Sequence, residues 1–252
     1  MGIGTGIPPG IAWEEPGWER LASGVGRRRL PAWDCTAGLV AGADSALLVD
    51  SGGTVREGAD LRRDTMRLLG AGRRVTHVAL THPHFDHVLG TSAFAGVEVY
   101  GALGAGEILT RGADELRTDA VRHGADPRAA AEAVELLVRP RYEVPVPGEW
   151  TLDLGGGVRV LLVNLGAAHS GHDLAVVVPG SPRVVFCGDL VEESGEPQAG
   201  PDAVPSRWPA ALDRLLELGG EDARYVPGHG SVVNAEFVRS QRDRLTRRFG
   251  VS

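Results

Sequence analysis

Directly after the apolar run at residues 75–80, the chain places three imidazoles and a carboxylate within six residues, as His82, His84, Asp86 and His87. A short apolar run of this kind reads as a strand, so the polar cluster falls on the loop at its end. This dictates a fold in which loops from distant parts of the chain can converge on one strand end. Imidazole nitrogen and carboxylate oxygen suit zinc, iron or manganese, and no thiolate joins them, which argues against a closed structural zinc site.

Three later residues share this placement. His169, Asp189 and His229 each come within a few residues of the end of an apolar β run, at 158–165, 184–187 and 225–226. Singly, each is an ordinary loop residue. Together with the first cluster they point to one site assembled at strand ends.

The rest of the pattern suggests a layered α/β chain. Residues 1–18 are rich in Gly and Pro and predict an extended arm, whose Trp13 and Trp18 would pack on the parent domain or on a partner subunit. Short β runs follow at 26–31, 36–41 and 46–49, the last ended by Asp50-Ser51-Gly52. An amphipathic helix is expected over 58–71 and a short strand over 97–100. The stretch 102–139, dominated by Ala, Leu, Arg and Glu, predicts two or three helices. Strands return at 142–146, 149–154, 158–163, 174–178 and 183–187, then a helix at 208–218, a strand at 224–226 and a helix at 234–249. Strands then helix, twice over, describe two similar halves that pack sheet to sheet as a four-layer αββα sandwich. A single domain over 19–252, carrying 102–139 as a helical insertion, is expected from the length.

Composition excludes several classes. The net charge of −7 offers a nucleic-acid backbone no general attraction, and the five arginines between 239 and 248 read as a solvated helix face. All 26 basic residues are arginine, so a lysine nucleophile or Schiff base is excluded. Cys35 and Cys187 sit in apolar surroundings and are expected to be buried free thiols, as in a reducing compartment. The first twenty residues lack the basic start and apolar core of an export signal, and no run reaches membrane-spanning length. A soluble cytoplasmic protein is therefore expected, with no membrane or nucleic-acid partner and with a homodimer as one option.

The motif His82-x-His84-x-Asp86-His87 resembles the signature of the metallo-β-lactamase-fold hydrolases, which include glyoxalase II, lactonases, thioesterases, nucleases and the lactamases. Ala168-His169-Ser170, Cys187-Gly188-Asp189-Leu190 and Pro227-Gly228-His229-Gly230 agree with it in order and spacing, so the resemblance runs from about residue 20 to 240. It implies the metallo-β-lactamase type of αββα sandwich and a catalytic site for two zinc ions, with iron or manganese as alternatives. In that pattern His82, His84 and His169 hold the first ion; Asp86, His87 and His229 hold the second; and Asp189 bridges them. Asp50 supports the histidine loop from behind, unless it is simply a turn residue. A bridging hydroxide would be the nucleophile, with Asp86 as its hydrogen-bond acceptor. His172 is the remaining candidate for catalysis, as proton donor to the leaving group, or else it caps the following strand. The insertion at 102–139 either covers the metal mouth or packs on the outer layer.

The implied reaction is cleavage of a carbonyl bond in a small-molecule ester, thioester or lactone, as in the glyoxalase and lactonase branches. A β-lactam is less suited. The lactamase subclass nearest in ligand pattern generally has cysteine where Asp189 stands and uses a lysine that this chain lacks. Glu192, Glu193, Glu196 and Asp202 would also repel an anionic substrate unless they point away. A phosphodiesterase or RNA-processing nuclease, an iron-dependent redox enzyme and a non-catalytic zinc module are the other readings. Salt dependence, metal identity and turnover would separate them.

Overall fold

In a computed structural model, residues 11, 13 and 17–251 are described. Most of the arm expected over 1–18 lies outside them. Trp13 and Trp18 are both buried, with ring centroids 6.1 Å apart, and pack into the chain's own core. Trp18, expected in the arm, instead opens a strand over Trp18–Ala22 that precedes the first expected β run.

A seven-stranded sheet has the order β1-β2-β3-β4-β5-β6-β7. Its strands are β1 (Trp18–Ala22), β2 (Val25–Arg29), β3 (Thr36–Ala41), β4 (Ala46–Val49), β5 (Val75–Ala79), β6 (Glu98–Ala102) and β7 (Tyr142–Val144). A five-stranded sheet has the order β12-β11-β10-β9-β8. It contains β8 (Gly148–Asp153), β9 (Arg159–Gly166), β10 (Asp173–Val178), β11 (Val184–Glu192) and β12 (Arg224–His229). The run β4-β5-β6-β7 is parallel, as is the pair β11-β12.

The period-two pattern of the strands builds three apolar layers. Leu39, Leu48 and Val78 face outward to a helical layer, while their neighbours Val40, Leu47, Val49 and Ala79 face the second sheet. Val176 and Phe186 meet them from across, and Val177 and Val185 turn to the opposite outer layer. The outer layers are α1 (Val55–Leu69), α3 (Ala105–Arg111), α4 (Ala113–Arg122) and α5 (Pro127–Glu135) on one side, and α6 (Trp208–Gly219) and α7 (Ala235–Phe249) on the other. This is the αββα sandwich. The insertion thus forms three helices, and Leu109, Leu116, Ala120, Ala130 and Ala133 pack it onto the outer face of the first sheet.

Two local devices aim the histidine loop. Thr54 and Glu57 form a capping box at the start of α1: the Thr54 hydroxyl accepts from Glu57 N, and the Glu57 carboxylate accepts from Gly53 N. The loop held there accepts and donates in turn, Gly90 N to Gly52 O at 2.9 Å and Ser51 N to His87 O at 2.8 Å. The histidine segment, expected to be a plain loop, winds into the one-turn helix α2 (Phe85–Val88). No helix among the described residues is long and apolar enough to cross a membrane.

Candidate metal centre

The strand ends deliver the expected residues to one place. His82 and His84 follow β5, Asp86 and His87 lie in α2, His169 follows β9, and His229 ends β12. Asp189 lies inside β11, not after it: the strand continues past the apolar run through register shifts at Gly188 and Glu192. His82, His84, His169 and Asp189 form one group, and Asp86, His87 and His229 a second, each able to offer one donor atom to an ion.

Asp189 lies between the groups. Its Oδ2 is 3.7 Å from His82 Nε2, 3.5 Å from His169 Nε2 and 3.3 Å from His229 Nε2, and its Oδ1 is 3.2 Å from His87 Nε2. Asp86 Oδ2 is 3.2 Å from His229 Nε2 and 3.6 Å from His87 Nε2. The Nε2 of His169 faces Nδ1 of His84 at 3.1 Å. Gly228 makes room for this approach, because a Cβ there would overlap Asp189 Oδ1.

The surrounding acceptors fix which nitrogen of each ring is bare. His87 Nδ1–H donates to Asp50 Oδ2 at 2.9 Å, leaving Nε2 as the lone pair. The Thr81 hydroxyl donates to the same Asp50 oxygen at 2.8 Å, so it can only accept from His82 Nδ1–H, 3.0 Å away, and His82 Nε2 is also bare. His229 Nδ1–H donates to Trp33 O at 2.8 Å. His84 is turned the other way, its Nε2–H donating to Asp202 Oδ2 at 3.0 Å and its Nδ1 facing the cluster. Nε2 of His82, His87 and His229 and Nδ1 of His84 are thus the nitrogens turned toward the centre. Nε2 of His82 and Oδ1 of Asp189 are buried with no hydrogen-bond partner, a costly arrangement that a bound cation relieves.

Electrostatics follow the same geometry. Burial holds His82 well below its ordinary value and brings His169 down to about 4, so both are neutral. At His229 burial opposes the charged form, but the carboxylates of Asp189 and Asp86 outweigh it and push the ring up to about 12. Burial works against the Asp189 anion, and His229, His87 and His82 together hold it well below the usual carboxylate range. At His229 and Asp189, then, positive charge is favoured where the carboxylates meet.

All seven residues expected as ligands converge, and Asp50 accepts from His87 and from Thr81 N and Oγ1. His172 joins neither group. Its Nδ1 lies 2.8 Å from Leu103 O, tying it to the loop after β6. The insertion also reaches the loops of the centre through His123, which at the end of α4 stacks on Phe85 at 5.5 Å and accepts from Trp33 Nε1 at 2.9 Å through its carbonyl. Of the acidic run expected to repel anions, Asp202 is engaged by His84 and Glu193 by Ser231 N at 2.6 Å, while Glu192 faces Asp189 and His229. Cys35 and Cys187 are free and buried, as expected.

Sequence reasoning missed Thr81, Asp202 and the Trp33 carbonyl. Thr81 adjoins the motif and could have been found as a hydroxyl within reach of both Asp50 and a ligand. Asp202 pairs across 118 residues, and Trp33 acts through its backbone; neither leaves a local signal.

A family model described as Metallo-beta-lactamase superfamily matches residues 30–229. Hydroxyacylglutathione hydrolase of Nitrosococcus oceani is 26% identical over 163 residues, which are 65% of this chain and 51% of that protein, so the chain spans about half the length of this curated relative. The metallo-β-lactamase FIM-1 from Pseudomonas aeruginosa, solved in a mono-zinc form, superposes with a TM-score of 0.69 over 93% of this chain and 96% of its own, at 17% identity. A metallo-β-lactamase from Pontibacter korlensis does so with a TM-score of 0.69 over 90% and 98%, at 18% identity. These two likenesses concern the fold alone. The family match spans every residue of the two donor groups, and the chain belongs to the metallo-beta-lactamase superfamily.

Proposed function

We propose that this chain is a metal-dependent hydrolase that cleaves an ester, thioester or lactone with two divalent cations, zinc being the best match to a donor set rich in imidazole. The observation that carries this reading is the orientation of the rings: acceptors behind His82, His84, His87 and His229 hold one nitrogen of each and leave the other turned to the centre around Asp86 and Asp189. His82, His84 and His169 would hold one cation, Asp86, His87 and His229 the other, and Asp189 would touch both. Bound there, the cations supply activation of water at neutral pH and polarisation of the acyl carbonyl.

The protein groups do the rest. Asp50 and Thr81 hold two rings in the tautomer that binds. Asp86 offers an oxygen that can accept a proton from attacking water. His172, whose Nδ1–H donates to Leu103 O, keeps Nε2 free to take up a second proton and, as the imidazolium, pass it to the leaving group. The name of the Nitrosococcus oceani relative supports a thioester among the substrates. The test is turnover of an ester, thioester, lactone, lactam and phosphodiester panel by protein of measured metal content. Two ions per chain, loss of one in Asp189→Asn, and turnover confined to the acyl compounds are expected. One tightly held ion, unchanged in that variant, would refute the two-cation reading.

A further inference from the structure

We propose that Glu192 is a further ligand of the second cation position, making that position oxygen-rich and suited to a harder divalent cation than the first. The inference rests on the two-cation reading above. One oxygen each of Asp189 and Glu192 and a ring nitrogen of His229 lie within 4.8 Å of one another, so a single ion can meet all three. The register of β11 against β12 explains why. Gly188 pairs with Pro227 and Glu192 with His229, so three residues of β11 stand opposite one of β12, and the bulge turns Asp189 and Glu192 toward the same histidine.

Glu192 is held in this pose from several sides. Its backbone N–H donates to the buried Gln241 at 3.0 Å, and Gln241 in turn donates to Leu190 O at 2.8 Å. The next residue binds the histidine strand, Glu193 N donating to His229 O at 3.2 Å. Ser194 donates from N and Oγ at 3.0 and 2.8 Å, but both bonds fall on Oε1 of Glu192, which leaves Oε2 for another partner. Beside it, Asp189 Oδ1 is buried without a hydrogen bond. A turn explains one carboxylate oxygen; an acid packed against a second, unsatisfied acid and a histidine calls for a cation.

The donor sets of the two positions then differ in kind. The first has nitrogens from His82, His84 and His169 with one oxygen from Asp189. The second has nitrogens from His87 and His229 with an oxygen from Asp86, and on its His229 side the group Asp189, Glu192 and His229 adds two carboxylates. Nitrogen-rich, low-coordinate sites suit zinc, whereas added carboxylates and a higher ligand count suit manganese or ferrous iron.

The experiment titrates metal-free wild type, Glu192→Gln and Asp189→Asn with manganese and, separately, with zinc against a competing chelator, following bound manganese by its EPR signal. Glu192→Gln is expected to weaken manganese at one of two positions by roughly tenfold or more and zinc by less, using the loss found for groups that support a metal site as the floor. Ser194→Ala, which removes the Oγ bond to Oε1 and keeps the backbone one, should leave manganese affinity within a factor of about three, well short of that loss. Manganese binding unchanged in Glu192→Gln, with Asp189→Asn impaired, overturns this inference alone. No loss in either variant overturns the two-cation reading itself. Melting of the metal-free proteins separates ligation from structure: removing one of two neighbouring carboxylates should not lower it, and a lowered melting temperature with unchanged manganese affinity would make Glu192 a structural residue. If Glu192→Gln does not fold, Glu192→Asp serves instead; its retained charge on a shorter arm should still weaken manganese, and wild-type affinity there counts against ligation.

Discussion

Replacing Asp50 by asparagine tests how far the second-cation histidine depends on the group behind it. Asp50 is 2% exposed and takes three hydrogen bonds, from Thr81 N, Thr81 Oγ1 and His87 Nδ1. Asparagine has the same shape and tolerates the left-handed backbone at φ 57°, so the main chain is not strained. It offers one acceptor oxygen in place of two. If the amide oxygen keeps Thr81 N–H, the NH₂ group faces the Thr81 hydroxyl and His87 Nδ1. A proton on that nitrogen is then opposed, and the ring is driven to the tautomer with hydrogen on Nε2, the atom that must be bare to bind. The supporting groups of metal histidines are worth about 10–100-fold in affinity, and full burial places this one near the upper end. Roughly 100-fold corresponds to about 2.7 kcal/mol. The metal-free protein loses charge-assisted bonds worth about 1.5–3 kcal/mol each, partly regained by the amide. The assay is zinc competition on metal-free Asp50→Asn beside its thermal melt. Zinc weakened by roughly 10–100-fold at both sites is expected, because the Thr81 hydroxyl, once it accepts from the amide, no longer holds His82 in its Nδ1–H form. Wild-type zinc affinity at both sites, in a folded variant, would show that the tautomers of His87 and His82 are not set by Asp50.

Four further outcomes follow from the same geometry. Gly228→Ala puts a methyl group onto Asp189 Oδ1, so metal content and turnover should both collapse while far-ultraviolet circular dichroism persists; full metal content would contradict the packing. His172→Ala should keep its metal, since the ring lies outside both donor groups, and lose about 10²-fold or more in kcat; unchanged kinetics would reduce it to a cap for β10. Chelation should abolish turnover reversibly without global unfolding, because the three apolar layers do not depend on the ions; a cooperative loss of helix signal on chelation would refute this. Penicillins and cephalosporins should be turned over far more slowly than esters or thioesters, since no lysine stands ready for the lactam carboxylate; a lactam kcat/KM near 10⁶ M⁻¹s⁻¹, with slower esters, would overturn the substrate class.

What the sequence discloses and what it withholds divide along physical lines. His82 to His87 are legible because the ligands are dense and follow an apolar run, and the outer helices because their leucines recur on one face. The αββα layering follows from strands whose neighbours alternate between two cores, as Leu47 and Leu48 do. β11 is misread at its end because Gly188, at φ 53°, looks like a terminator, whereas it lets the chain bulge against Thr81 and run on to Glu192. The one-turn helix α2 is too short for any periodicity to reveal it. Whether 102–139 is a lid had no sequence signal; its helices bury their apolar face on the sheet, and the segment meets the loops of the centre where His123 contacts Trp33 and Phe85 and where Leu103 O holds His172.

The placement of the donors on both sheets has a consequence for how the folded chain is maintained. His84 and His169 stand 85 residues apart, one beside β5 of the first sheet and one after β9 of the second. An ion between them is a removable staple across the sandwich, and its grip is set by mass action. Each tenfold rise in free metal above the dissociation constant adds about 1.4 kcal/mol to the folded state for each position filled. Stability is then partly a property of the medium: the three apolar layers keep the metal-free chain folded, and free metal sets how wide its margin above unfolding is.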